Sequence, residues 1–273
     1  MLDEASFIEG KVHQRGALCH EADTKHRSAI CQLRTNSYSY GVTQLRYLYS
    51  NRSVFAVYKP AGTHSVRLPG GKGGESVADL LLAHTPSLAA AGRSQEDAGL
   101  VHRLDQSTSG LLLGASDRSV WDTLFEQIAS GAIKKEYIAC VEGRFDTTRT
   151  ITSFIGSPNR GAHKMKSYER DPGPGARALD GTTTFTPVSY DPVSDTSLVQ
   201  ASASPARRHQ IRVQAASLGH PLVGDALYGS TRVLGEIAKE PREFLLHSWR
   251  ISFRHPESGE EVLIESPISD EVR

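Results

Sequence analysis

Between Gly99 and Ala115 the chain goes from apolar to polar and back: Leu100 and Val101, then His102, Arg103, Asp105, Ser107, Thr108 and Ser109, then Leu111, Leu112 and Leu113. Short apolar runs bounded by turn residues predict buried strands on both sides of a polar crossing. Upstream, Leu45–Tyr49 and Val54–Tyr58 are β-prone runs parted by the turn Ser50-Asn51-Arg52-Ser53, and Lys59-Pro60-Ala61-Gly62 stops the second of them. Ser76 is placed to cap a short helix through Leu82, with Asp79 at the capping-box position. Ser116 or Asp117 caps the next helix, whose stripe is Val120, Leu124 and Ile128 and which Gly131 ends. Lys135 to Val141 alternates as a strand does, with Lys135, Tyr137, Ala139 and Val141 on one face.

Farther on, Thr182–Val188 and Ser197–Ala203 read as strands joined by an Asp191-Pro192 turn. Ser204 as N-cap and Pro205 at the first helical position predict a helix running to Leu218 and stopping at Gly219. Its buried stripe is Ile211, Ala215 and Leu218, with Arg208 and Arg212 one turn apart on a flanking face. Phe244–Leu246, Ile251–Phe253 and Val262–Ile264 read as closing strands. Residues 156–181, with five glycines and the cations Arg160, Lys164, Lys166, Arg170 and Arg177, read as a long basic loop. Pro69–Gly74 is glycine-rich but lacks the order of a phosphate-binding loop, and is expected to be a flexible connection. Residues 1–45 show no sustained period and form an N-terminal extension; residues 46–273 form the main domain.

Composition narrows the classes. Lysine plus arginine equals aspartate plus glutamate, 31 against 31, so any polyanion site must be local. No apolar run approaches the roughly 18 residues of a membrane span, and neither a secretory signal nor a transit peptide is expected, which points to the cytoplasm. Cys19, Cys31 and Cys140 make no disulfide framework; Cys19, His20, His26 and Cys31 match no common zinc spacing, so no metal is expected.

An acid at the lip of a sheet is either paired and structural or reactive. Taken singly, Asp105 beside Arg103 or Arg212 reads as a structural ion pair, Tyr137 as core, and His102 and His209 as hydrogen-bonding supports. The basic loop taken singly is a solvated surface.

In order along the chain, Lys59-Pro60-Ala61-Gly62, H-R-L-D-Q-S-T-S-G-L-L-L from His102, Lys135-Glu136-Tyr137-Ile138-Ala139, and R-H-Q-I-R-V from Arg208 running on to Gly224-Asp225 and Tyr228-Gly229 resemble the RluA-type pseudouridine synthases. The likeness covers about residues 45 to 265. It implies an α+β fold, a mixed, largely antiparallel central sheet flanked by helices and loops with a central RNA-binding cleft. It also implies that Asp105 is the catalytic aspartate, Tyr137 the active-site tyrosine and Arg212 the arginine paired with the aspartate. Two departures stand out. Gln106 occupies a position where the family commonly has arginine, and Ser204-Pro205-Ala206-Arg207-Arg208-His209 replaces the usual approach to the fourth block. The small RNA-binding module of some relatives is not recognisable in residues 1–45.

The implied chemistry breaks the bond between uracil nitrogen and ribose and re-forms it to carbon. Nothing is oxidised and no atom is imported, so no cofactor is expected. An ionised carboxylate is needed as nucleophile or to assist base departure, and a cation in contact keeps it ionised. Arg212 is expected to hold both of its oxygens in a planar fork. Tyr137 is suited to stack on the displaced base and relay a proton. Candidate contacts to substrate RNA are Lys59, His102, Arg103, Gln106, Thr108, Arg208 and His209, with Arg67, Arg207 and the basic loop as further cations. The expected partner is ribosomal or transfer RNA, with no membrane and no obligate protein partner, the chain acting as a monomer. A catalytically silent RNA-binding protein of the same fold is the alternative; a glycosidic hydrolase lacks a second acid near Asp105.

Overall fold

Ten strands among the described residues hydrogen-bond into one sheet, antiparallel at every junction except one. The computed structural model describes residues 45–68, 70, 74–157, 159, 163–232 and 244–267. The N-terminal extension with its Cys19, His20, His26 and Cys31, most of the Pro69–Gly74 loop, and Arg160 lie outside the described residues. In chain order the strands are β1 (Tyr47–Ser50), β2 (Val54–Lys59), β3 (Ser109–Ala115), β4 (Lys134–Glu142), β5 (Arg149–Gly156), β6 (Lys166–Tyr168), β7 (Leu179–Asp191), β8 (Thr196–Ser204), β9 (Leu246–Arg254) and β10 (Glu261–Glu265). The sheet order is β1-β2-β3-β9-β4-β8-β7-β5-β6, with β10 also on β9. Among the described residues three α-helices lie against it: α1 (Val77–His84), α2 (Arg118–Ala129) and α3 (Gln210–Ser217).

β3 is buried along its whole length, which explains its unbroken leucine run. Leu111 and Leu113 share a core with Val120, Trp121 and Leu124 of α2, while Leu112 packs with Val77, Ala78 and Leu81 of α1. Burial of each leucine contributes roughly 1.5–3 kcal/mol, so the strand is a firm base for the loop that enters it. β3 meets β9 in parallel through Ser109 and Gly110. Only glycine fits there: at φ +102 a Cβ on Gly110 would lie 2.2 Å from the Ser248 carbonyl oxygen.

Both capping predictions hold. Ser76 and Asp79 form the reciprocal capping box of α1, and Asp117 accepts from the Ser119 and Val120 amides at the start of α2. Several boundaries differ. Gly99–Val101 makes a single bridge, Leu100 to Gly114, and is not a strand. β9 runs through the polar His247-Ser248-Trp249-Arg250 without a break, because β4 lies along one side of it while β3 and β10 share the other. The 156–181 segment contains β6, which extends the sheet beyond the unpredicted β5.

The largest correction concerns α3. Ser204 ends β8 instead of capping a helix, and α3 begins only at Gln210 after His209. Two buried amides set this start. Gln210 accepts from the Arg207 amide and donates to Thr182 O and Thr183 Oγ1, while Gln214 one turn later donates to Ser153 Oγ and Gly181 O. Polar side chains thus pin α3 to β5 and β7, and both neighbours of the helix's apolar stripe are buried as well. Arg208 consequently lies before the helix and is exposed, whereas Arg212 is buried.

Candidate active site

Asp105 sits in the turn between the Leu100 bridge and β3, and the loop after β2 holds that turn in place. The Lys59 ammonium is completely buried and donates to the carbonyls of Pro60 (3.0 Å), Thr63 (2.7 Å) and Gln106 (2.9 Å). The Gly62 amide donates to the same Gln106 carbonyl at 2.9 Å, and Gln106 Nε2 donates back to Gly62 O at 3.1 Å. Ser65 adds a reciprocal pair with the Leu104 backbone. The residue beside Asp105 is therefore stitched to Lys59-Pro60-Ala61-Gly62 from both sides. Burial pushes the Lys59 ammonium down to about 7, the nearby Asp105 charge opposing it. Three carbonyl acceptors match the three protons of the charged form.

From the opposite side α3 delivers Arg212. Its Nη1 donates to Asp105 Oδ2 at 3.1 Å, across a sequence separation of 107 residues. The fork, however, goes elsewhere: Nε and Nη2 donate to the two oxygens of Asp225 at 2.7 and 2.9 Å. The expectation of a fork on Asp105 is corrected accordingly, and Asp225 is a residue whose role sequence reasoning missed. The signal was present in the Gly224-Asp225 turn of the fourth block. Asp225 is 1% exposed and its carboxylate has a buried partner in the guanidinium. Phe244 lies under that guanidinium, 4.0 Å from ring centroid to Cζ, and Tyr228 flanks it at 5.0 Å. Although burial works against its charge, hydrogen bonds to Asp225 and then the charge of Asp105 hold Arg212 protonated beyond the ordinary guanidinium value.

Tyr137 projects from β4 beside a shift of register between Glu136 and Tyr137 against β9, the kind of irregularity that re-aims a side chain. It is buried with Ile211 of α3, Phe244 and Leu104, the residue before Asp105. Burial, reinforced by the negative charge of Asp105, raises the Tyr137 phenol above its ordinary value, so it is a protonated donor at neutral pH. Asp105, Tyr137 and Arg212, far apart in sequence, are thus brought to one place.

The remaining candidates divide. His209 is adjacent, its Nε2 3.7 Å from Asp105 Oδ1. Arg103, Gln106 and Arg208 are exposed, and Arg208 Nη2 reaches the His163 carbonyl at 3.5 Å. Lys59, His102 and Thr108 are turned inward, correcting the expectation that they face RNA. Lys59 is spent on carbonyls, Thr108 is 2% exposed, and His102 Nε2 accepts from the Leu113 amide at 3.1 Å. Arg67 pairs with Asp79 at 2.8 Å and Arg207 with the Asp180 carbonyl at 2.9 Å, while Lys164, Lys166, Arg170 and Arg177 are exposed. No group of three or more His, Cys, Asp or Glu among the described residues is arranged to hold a metal ion.

This geometry, a partly exposed carboxylate held by a buried arginine beside a protonated phenol, lies within a matched family. The family described as RNA pseudouridylate synthase matches residues 53–217, the span from β2 to the end of α3. A ribosomal large subunit pseudouridine synthase D from Neisseria meningitidis is 33% identical over 234 residues, 84% of this chain and 59% of that protein. A ribosomal large subunit pseudouridine synthase C from Pasteurella multocida is 31% identical over 175 residues, 64% of this chain and 52% of that one. The chain spans 59–63% of the length of its synthase D relatives from Neisseria and Nitrosomonas. Among solved structures, human RNA Pseudouridylate Synthase Domain Containing 1 matches with a TM-score of 0.61 and 24% identity, covering 84% of this chain and 86% of that chain. Human RNA Pseudouridylate Synthase Domain Containing 4 matches with a TM-score of 0.60 and 18% identity, covering 89% and 93%. Both likenesses are of fold.

Proposed function

The chain belongs to the RluA-type RNA pseudouridylate synthase family, and on that premise we propose that it isomerises uridine in structured RNA, ribosomal or transfer, to pseudouridine. The observation that carries the reading is the contact between Asp105 Oδ2 and Arg212 Nη1 at 3.1 Å, with the arginine braced by Asp225. Asp105 is the group that attacks the sugar or assists departure of the base. Arg212 orients it through the Nη1 contact. Tyr137 meets the extruded uracil and relays a proton, a role for which its raised phenol suits a donor. The bond from N1 to the ribose breaks, a bond from C5 forms, N1 gains a proton and C5 loses one, so the reaction balances within the substrate and solvent.

RNA is held through local cations, since the chain has no net charge. The exposed Arg103, Arg208, Lys164, Lys166, Arg170 and Arg177 are suited to phosphate contacts that position the strand without specifying it. No helix among the described residues is long and apolar enough to cross a membrane. We place the enzyme in the cytoplasm, where its RNA is, acting as a monomer.

The test is chemical mapping of pseudouridine in cellular RNA with and without the protein, alongside Asp105→Asn assayed on the RNA so found. Loss of pseudouridine in the variant, with RNA affinity retained within a few fold, supports the assignment. Full turnover by Asp105→Asn overturns it, and an unchanged pseudouridine map favours a silent RNA-binding protein.

A further inference from the structure

His209 enters α3 with backbone φ 55, the left-handed region that non-glycine residues seldom occupy, histidine being among the few that do so more often. Strain of this kind, held by its surroundings, is found where a side chain must be aimed. Here it aims an imidazole between two oxygens. Its Nδ1 lies 2.9 Å from Tyr228 Oη, and its Nε2 faces Asp105 Oδ1 at 3.7 Å. The oxygen it faces is the one that Arg212, on Oδ2, does not hold.

Which ring nitrogen carries the proton follows from Tyr228. The Met165 amide donates to Tyr228 Oη at 2.9 Å, so the phenol oxygen is already an acceptor there. Its single proton needs an acceptor of its own, and His209 Nδ1 is the partner in reach among the described residues. Nδ1 is therefore the unprotonated nitrogen. The reverse tautomer would leave the phenol proton without an acceptor among the described residues and set a nitrogen lone pair against a carboxylate oxygen. A second proton on the ring is disfavoured: burial, only partly offset by Asp105 and joined by Arg212 and Arg208, pushes the imidazole down to about 4.

We propose that His209 is a positioning residue for the aspartate, a neutral imidazole whose tautomer Tyr228 sets and whose Nε2–H is presented to the Asp105 oxygen that Arg212 leaves free. The inference rests on the reading of Asp105 as the reacting carboxylate. At 3.7 Å the contact is longer than a hydrogen bond, and contacts of this kind tighten when substrate closes the site. His209 transfers no proton. Its donor orients the carboxylate before attack and receives the charge that returns to that group when its bond to the sugar breaks.

Two measurements test it. In the full-length protein with ring-labelled histidines, long-range proton–nitrogen correlations at neutral pH should place the His209 proton on Nε2, and Tyr228→Phe should shift that population toward Nδ1. A proton on Nδ1 in the unmutated protein overturns the proposal without reference to activity. In turnover assays, His209→Asn suits the backbone but cannot reach Asp105, and should lower kcat about 10- to 100-fold with the RNA KM kept within a few fold. His209→Gln, whose amide nitrogen falls near the Nε2 position, should restore most of the loss. Normal kcat in His209→Asn, or a loss carried by KM, overturns the positioning role. Turnover retained in Asp105→Asn would instead overturn the underlying assignment, leaving the tautomer result standing.

Discussion

Arg212 meets Asp105 with one nitrogen, Nη1 at 3.1 Å, and not with its fork, because the fork edge is already docked on Asp225 at 2.7 and 2.9 Å. The arginine is held rigidly by a buried carboxylate so that its remaining corner can steer a partly exposed one. A lysine retains the charge but offers a single nitrogen that cannot reach both acids in fixed geometry. Arg212→Lys is therefore expected to lose most turnover, read as kcat on the mapped RNA. Near-normal turnover would show that charge alone suffices.

Asp225 touches no reacting atom, yet its loss should be felt at Asp105. Asp225→Asn leaves one acceptor for two donors in a buried site, and the guanidinium is free to swing. A displacement on the order of 1 Å costs about 100-fold when it moves a catalytic group, so kcat should fall by about 10- to 100-fold with the KM for RNA little changed. A loss expressed in KM would place Asp225 in RNA binding instead.

Lys59 ties the loop after β2 to the Asp105 turn. Lys59→Met fills the same volume but leaves the Pro60 and Thr63 carbonyls buried without their ammonium donor. Relief of the buried charge offsets part of that cost, leaving a net destabilisation of about 2 kcal/mol. A lowered urea midpoint together with reduced turnover is expected, since the carbonyl of Gln106 loses a donor too. A variant as stable as the parent would show that the charge, not the tether, dominates.

Buried histidines make stability depend on pH. Burial lowers His209 and His247 from 6.5 to about 4 and His102 well below its ordinary value. As pH falls through about 6.5 the unfolded chain takes up protons that the folded protein refuses until much lower pH. The contribution of these histidines is thus fully present above about pH 6.5 and is lost progressively toward pH 4. Urea unfolding at pH 7.5, 6 and 5 should show a falling midpoint; a midpoint that stays level or rises between pH 7.5 and 5 would contradict neutral burial of these rings.

Local features proved readable where one residue acts on its own neighbours. The Ser76–Asp79 capping box, the Asp117 cap and the alternation through Tyr137 all follow from contacts within a few residues. Reading failed where partners were remote. β5, Arg-Thr-Ile-Thr-Ser-Phe-Ile-Gly, carries little apolar signal because its threonines pair across to Thr182 and Thr184 of β7. The start of α3 is not legible in the sequence, because Gln210 and Gln214 look like surface residues until β7 and β5 supply their partners. Lys59 reads as an RNA contact for the same reason, its carbonyl partners being supplied only by the fold.

The family blocks, many of the strands and helices around them, and the candidates Asp105, Tyr137 and Arg212 are legible from the residues alone. How these groups share their partners emerges only on folding: Arg212 between two carboxylates, Lys59 among three carbonyls, His209 between a phenol and the aspartate it faces. The reason is physical. Periodicity and capping are settled within a turn or two of chain, whereas a buried donor must find its acceptor wherever the folded chain brings one, across 107 positions for Arg212 and Asp105.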